Sequence, residues 1–159
     1  MAVKAIPDGF TTVTPHMVVE GCAQAIDFYA KAFGAQEHGR IAMPDGKRLM
    51  HAMIQIGDAR IMMVDAMEEF GVKGPKGLGG TPVSLNLYAE DAKALFDRAV
   101  AAGCTVAMPL EEQFWGDLYG KLRDPFGHEW SIAQHVRDVP EEEMTAAGKA
   151  AMEAMGAGS

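Results

Sequence analysis

The chain has 159 residues, 48% of them hydrophobic, and a formal net charge of −8 from 14 Lys and Arg against 22 Asp and Glu. That size and composition suit one globular domain, residues 1–159, and exclude wholesale disorder. The negative field repels phosphate backbones and anionic lipid surfaces, so no nucleic-acid partner and no membrane partner is expected.

The first ten residues hold one Lys and a Pro7-Asp8-Gly9 turn but no apolar core of a signal peptide. Cys22 and Cys104 make neither a disulfide framework nor a metal knuckle, so a reducing, cytoplasmic location is expected.

An alternating run over residues 12–19 predicts a first strand. Gly21 and Cys22 lead into a helix, with Ile26, Tyr29, Ala30 and Phe33 at i, i+3, i+4 and i+7, and Gly34 ends it. Pro44-Asp45-Gly46 is a turn signal, and residues 49–56 and 59–64 read as two strands around Gly57-Asp58. Residues 67–82 carry five glycines with Lys73 and Lys76 and predict a flexible linker. Residues 83–88 read as a strand. Glu90 and Asp91 then open a helix with the stripe Ala92, Leu95, Phe96, Ala99 and Val100, capped by Gly103. Short strands at 105–108 and 120–123 flank a predicted loop at 111–117, and a last strand follows at 129–133. Residues 140–155 predict a C-terminal helix with Met144, Ala147, Ala151 and Met155 on one face.

Placing Gly34 on Gly103 gives an offset of about 69 residues that also brings Ile26 onto Leu95 and Met62 onto Ser131. The order strand–helix–strand–strand–strand recurs, with a first module at 11–66 and a second at 83–136.

Two signatures carry a family resemblance. The first is Pro15-His16-Met17-Val18-Val19, Ala25-Ile26-Asp27-Phe28-Tyr29 and Ala32-Phe33-Gly34-Ala35. The second is Met108-Pro109-Leu110, Phe114-Trp115-Gly116-Asp117, Tyr119-Gly120 and Asp124-Pro125-Phe126-Gly127-His128-Glu129-Trp130-Ser131. Together they resemble the glyoxalase/bleomycin-resistance/dioxygenase proteins, also called the vicinal oxygen chelate (VOC) superfamily, and within it the PhnB-like branch. The resemblance implies an α+β fold of two βαβββ modules that form a cup-shaped mixed sheet, here followed by a C-terminal helix. It further implies a small-molecule site in the cup. Many relatives hold a divalent metal there as a Lewis acid.

Strand alternation says which residues face that cup, because each strand must turn its apolar face to its helix. Met17, Val19, Ile54, Ile56, Leu85, Leu87, Trp130 and Ile132 suit the helices. Thr14, His16, His51, Met53, Ser84, Asn86, Tyr88, Glu129 and Ser131 then face the cup, and the repeat adds Met62. The expected ligand-binding set is His16, His51, Ser84, Asn86, Tyr88 and Ser131, with Trp115 near the mouth for stacking.

The places that hold metal ligands in relatives fall near Thr14, Met62, Ser84 and Ser131, a poor donor set for Zn²⁺, Ni²⁺ or Fe²⁺. No metal cofactor is therefore expected, nor glyoxalase I or extradiol dioxygenase activity. One alternative is a single divalent metal held by His16, His51 and Glu129, serving a lyase- or isomerase-type enzyme on an oxygen-rich substrate. The other is acid–base catalysis by His16 and Glu129. Binding without chemistry and catalysis both stay open at this point. A homodimer is expected, because each module leaves a strand edge unpaired.

Overall fold

The computed structural model describes residues 3–158; residues 1, 2 and 159, the ends of the expected domain, lie outside the described residues. Its elements begin with β1 (His16–Val19), α1 (Cys22–Phe33), β2 (Gln36–Ala42), β3 (Leu49–Ile56) and β4 (Ala59–Asp65). After a linker come β5 (Ser84–Tyr88), α3 (Ala92–Ala102), β6 (Thr105–Glu112), β7 (Asp117–Arg123) and β8 (Glu129–His135). The linker itself contains the short helix α2 (Pro75–Leu78), and α4 (Glu141–Gly156) closes the described chain.

The strands form two four-stranded sheets of one plan, ordered β1-β4-β3-β2 and β5-β8-β7-β6. In each sheet the first strand runs parallel to the fourth and the remaining pairs are antiparallel. This is the expected α+β architecture of two βαβββ modules with a C-terminal helix.

Glycines end both module helices as their positions predict. The Gly34 and Gly103 N–H groups donate back to carbonyls of the last turn, Ala30 and Ala99 among them. The start of α1 is capped from far away in sequence. Gly21 offers no side chain, and Asp65 Oδ1, at the end of β4, accepts the N–H of Gly21 and of Cys22, each at 2.9 Å. Asp65 Oδ2 accepts the N–H of Leu49 at 2.7 Å. One buried carboxylate thus ties α1, β3 and β4 together.

The helix faces of both sheets share a single core, and α1 lies against α3. Trp130 of β8 is fully buried, with the Tyr29 and Phe33 rings of α1 at centroid distances of 5.2 and 4.6 Å. Asp124 sits at this seam. It accepts the Tyr29 hydroxyl at 2.6 Å, the Trp130 indole N–H at 2.8 Å, and the N–H groups of Phe126 and His128. The Asp-Pro-Phe-Gly turn therefore joins the modules as well as reversing the chain.

Several elements differ from the sequence reading. β1 starts at His16, because residues 11–14 turn on local Thr bonds: Thr11 Oγ1 donates to Val13 O, and Thr14 Oγ1 donates to Thr11 O. The loop predicted at 111–117 shrinks to a tight hairpin between β6 and β7, closed by Gln113 N–H on Asp117 O at 2.8 Å. Two register shifts in β6, next to Met108, hide the alternation that would have extended the strand in sequence. β2 is exposed along its whole length and gives no alternating signal. The linker contains a 3-10 turn at Glu68–Phe70 besides α2. In α4, Met144, Ala147 and Ala151 are half-buried as the stripe predicts, but Met155 is exposed.

Candidate functional site

The two sheets turn their other faces away from the shared core, and these faces carry the predicted site residues. On the first sheet, His16 pairs in register with Met62 and Met62 with Met53, so the three share one face. His51 lies one row along the same face, with its ring 6.4 Å from that of His16 and edge-on. Val18 and Val64 lie in register beside the histidines, and Gln55 and Arg60 pair at the far end of the same face.

On the second sheet, Asn86 pairs in register with Ser131, and Ser131 with Lys121. Ser131 Oγ donates to Asn86 Oδ1 at 2.7 Å, and Ser131 is only 2% exposed. Ser84 opens the strand beside Glu129, which forms an ion pair with Arg123 at 2.9 Å.

Tyr88 joins residues that the sequence did not link to one another. Its hydroxyl donates to Asp117 Oδ2 at 2.9 Å, and His135 Nδ1–H donates to Asp117 Oδ1 at 2.7 Å. Asp117 is 5% exposed, whereas Tyr88 is 67% exposed. His135 Nε2 also reaches Asp138 at 2.9 Å. Both ring nitrogens of His135 thus face carboxylates. Accordingly, the bonds to Asp138 and Asp117 raise the His135 pKa above its ordinary value. Burial would raise the Asp117 carboxyl pKa, but the bonds from His135 and Tyr88 outweigh it and the net direction is down. The bond to Asp117 raises the Tyr88 phenol pKa. Trp115 and Tyr119 lie at the same end, ring centroids 5.4 Å apart, with Phe114 edge-on to Trp115. The signal for this cluster was the spacing Trp115-Gly116-Asp117 with His135 at register partner distance, which only the β7–β8 pairing reveals.

The structure thus brings His16 together with His51, Ser131 with Asn86, and Tyr88 with Trp115 through Asp117 and Tyr119. No hydrogen bond or ring contact joins the first-sheet set to the second-sheet set among the described residues. Where β1 approaches β5, a cavity of about 320 Å³ brings His16 beside Val83 and Leu85, which are on the helix side, and not beside Ser84, Asn86 or Tyr88. There, His128 Nε2–H donates to Val18 O at 2.8 Å, a bond between the two modules.

The donor chemistry of these faces suits a divalent metal poorly. The structurally equivalent cross-strand pairs are His16–Met62 and Asn86–Ser131, which supply one imidazole and no carboxylate. Glu129 lies on the other sheet from His16 and His51 and is occupied by Arg123. Among the described residues, no three His, Cys, Asp or Glu converge to hold a metal ion. Thiolate chemistry fits no better, since burial first and neighbouring Asp65 second push the Cys22 thiol up to about 12, and burial does the same at Cys104.

Comparison with known proteins places these features in context. The model of the Glyoxalase/Bleomycin resistance protein/Dioxygenase superfamily matches residues 10–132. The uncharacterized protein Rv0887c of Mycobacterium tuberculosis is 47% identical over 150 residues, covering 92% of this chain and 85% of that one. The structure of the Arabidopsis thaliana At5g48480 gene product is similar, with TM-score 0.62 and 28% identity over 78% of this chain and 98% of that one. A PhnB protein of Bacillus cereus, described as a putative 3-demethylubiquinone-9 3-methyltransferase, shares the fold with TM-score 0.60 at 18% identity, covering 78% of this chain and 99% of that one.

Proposed function

Because the chain belongs to the Glyoxalase/Bleomycin resistance protein/Dioxygenase superfamily, we propose that it binds a small organic molecule in a cup that two copies of the chain build together, without a metal. The observation that carries this reading is the donor set. The equivalent strand pairs hold His16 with Met62 and a mutually bonded Asn86 with Ser131, which suits a polar–apolar ligand better than a divalent cation. The first sheet offers an apolar floor with two imidazoles. The second offers amide, hydroxyl, phenol and indole groups for orientation and stacking.

The homodimer is part of this reading. Both candidate faces point away from the common core of one chain, and β1 and β5 each have a hydrogen-bonded neighbour on one side only. A second copy that sets its second sheet opposite the first sheet of its partner closes a cup. The PhnB-like branch and a cytoplasmic location complete the proposal, supported by the fold shared with the Bacillus cereus protein and by two buried free thiols.

Binding of the fluorescent dye Nile red tests the metal-free cup. Tagless protein treated with EDTA is expected to bind the dye as tightly as untreated protein, and Tyr88→Ala is expected to bind about tenfold more weakly. Loss of binding on chelation, restored by Zn²⁺ or Ni²⁺, would overturn the reading.

A second reading rests on the Tyr88–Asp117–His135 chain. A phenol whose proton is directed to a carboxylate that also bonds a histidine suits acid–base chemistry on a bound oxygen-rich substrate. Turnover abolished by Asp117→Asn with ligand binding retained would favour it.

A further inference from the structure

The segment before β1 does more than enter the fold. Residues 7–10 make a turn, with Phe10 N–H on Pro7 O at 3.2 Å and Gly9 at φ 82° in its third position. The Arg60 guanidinium packs on this turn. Its carbon lies 5.0 Å from the centroid of the Phe10 ring, and a Cβ on Gly9 would come within 2.6 Å of it. Arg60 belongs to β4 and lies two residues before Met62, so it faces the same side of the first sheet as Met62 and His16. Arg60 Nε is buried without a hydrogen-bond partner. Pro15 O, accepting Met62 N–H at 2.9 Å, ties the end of the segment to β4.

Between this segment and the sheet lies a cavity of about 380 Å³, within the range of small-molecule sites. Ile6, Pro7 and Phe10 supply its apolar wall, Thr12 and Thr14 its polar side, and Met62 its floor. Met62 is also the register partner of both His16 and Met53, so this cavity borders the proposed first-sheet face through Met62. Ile6 is 56% exposed, an apolar side chain left facing open space beside that floor. Ile6 and Pro7 precede the span matched by the superfamily model, and Phe10 opens it.

We infer that residues 5–14 form a wall of the ligand site, which receives a neutral apolar group, an aromatic ring or short alkyl chain, between Ile6, Phe10 and Met62. The inference deepens the proposed binding function and rests on it. Arg60 acts as a positioning residue that holds Phe10 and the Gly9 turn against the sheet. Met62 adapts to the shape of the group because its unbranched thioether repacks readily.

The test uses Nile red, the full chain and ¹³C-methyl labelling of methionine. In the unaltered protein, the dye is expected to shift the Met62 methyl resonance, identified by its loss in Met62→Leu. Ile6→Glu and Phe10→Ala are each expected to weaken dye binding about tenfold, while His16→Ala weakens it from the adjoining face. Ile6 is exposed, so Ile6→Glu leaves folding intact and its unchanged melting temperature serves as the control. If His16→Ala and Tyr88→Ala weaken binding but Ile6→Glu and Phe10→Ala do not, the cup stands and the wall is refuted. If the dye binds the unaltered chain nowhere, or binds it indifferently to all four substitutions, the binding function falls and the wall with it.

Discussion

Asp124→Ala is expected to cost about 3–5 kcal/mol of stability, enough to unfold many domains of this size. The cost follows from the two side-chain donors left behind. The Tyr29 hydroxyl and the Trp130 indole N–H both point at Asp124 Oδ2 from a fully buried position. A buried donor without an acceptor costs about 1–3 kcal/mol. The Phe126 and His128 N–H groups lose Oδ1 in the same substitution. Asp124→Asn keeps one oxygen acceptor and should lose clearly less. Urea unfolding measures both. A loss below about 1 kcal/mol for the Ala variant would mean that the turn and the rings do not hold the two modules together as described.

Asp65→Ala should cost about 2–4 kcal/mol, by a different route. Asp65 caps the first turn of α1 through Gly21 and Cys22 and also satisfies Leu49 N–H at the start of β3. Removal of an N-cap costs about 0.5–2 kcal/mol, and a buried orphan N–H adds about 1–3. Because Gly21 has no capping side chain, no local group can substitute. Amide exchange should accelerate at Cys22 and Leu49 more than at residues of β7 and β8. Uniform exchange across both modules would contradict the local role.

Both carboxylates show where sequence reasoning stops. Asp65 and Asp124 each end or follow a strand and read as turn residues; Asp124 does hold its turn, whereas Asp65 caps a helix distant in sequence. Their partners lie 44 and 95 residues away, at Gly21 and Tyr29, and no local pattern announces such bonds. The helices were legible because periodicity and the cap glycines Gly34 and Gly103 are local signals. Strand faces were legible for the same reason: Ile54, Leu85 and Trp130 must meet a helix, which leaves His16, His51, Asn86 and Ser131 on the other side. β2 was not, since an edge strand exposed on both faces carries no alternation. The Asp117–His135 contact was not, because it depends on the β7–β8 register. The N-terminal wall was hidden for a further reason. A Pro-Asp-Gly turn reads only as a turn, and its seat on Arg60 is a tertiary contact.

The central claim is that each cup joins the first sheet of one copy to the second sheet of another. A mixed dimer of His16→Ala chains with Tyr88→Ala chains, isolated by two affinity tags, tests it through Nile red binding. If cups are shared, one cup of the mixed dimer carries both defects and the other carries neither. About half of the sites should then bind with the affinity of the unaltered protein. If each chain built its own cup, every site would carry one defect, and the absence of any full-affinity site would contradict the account.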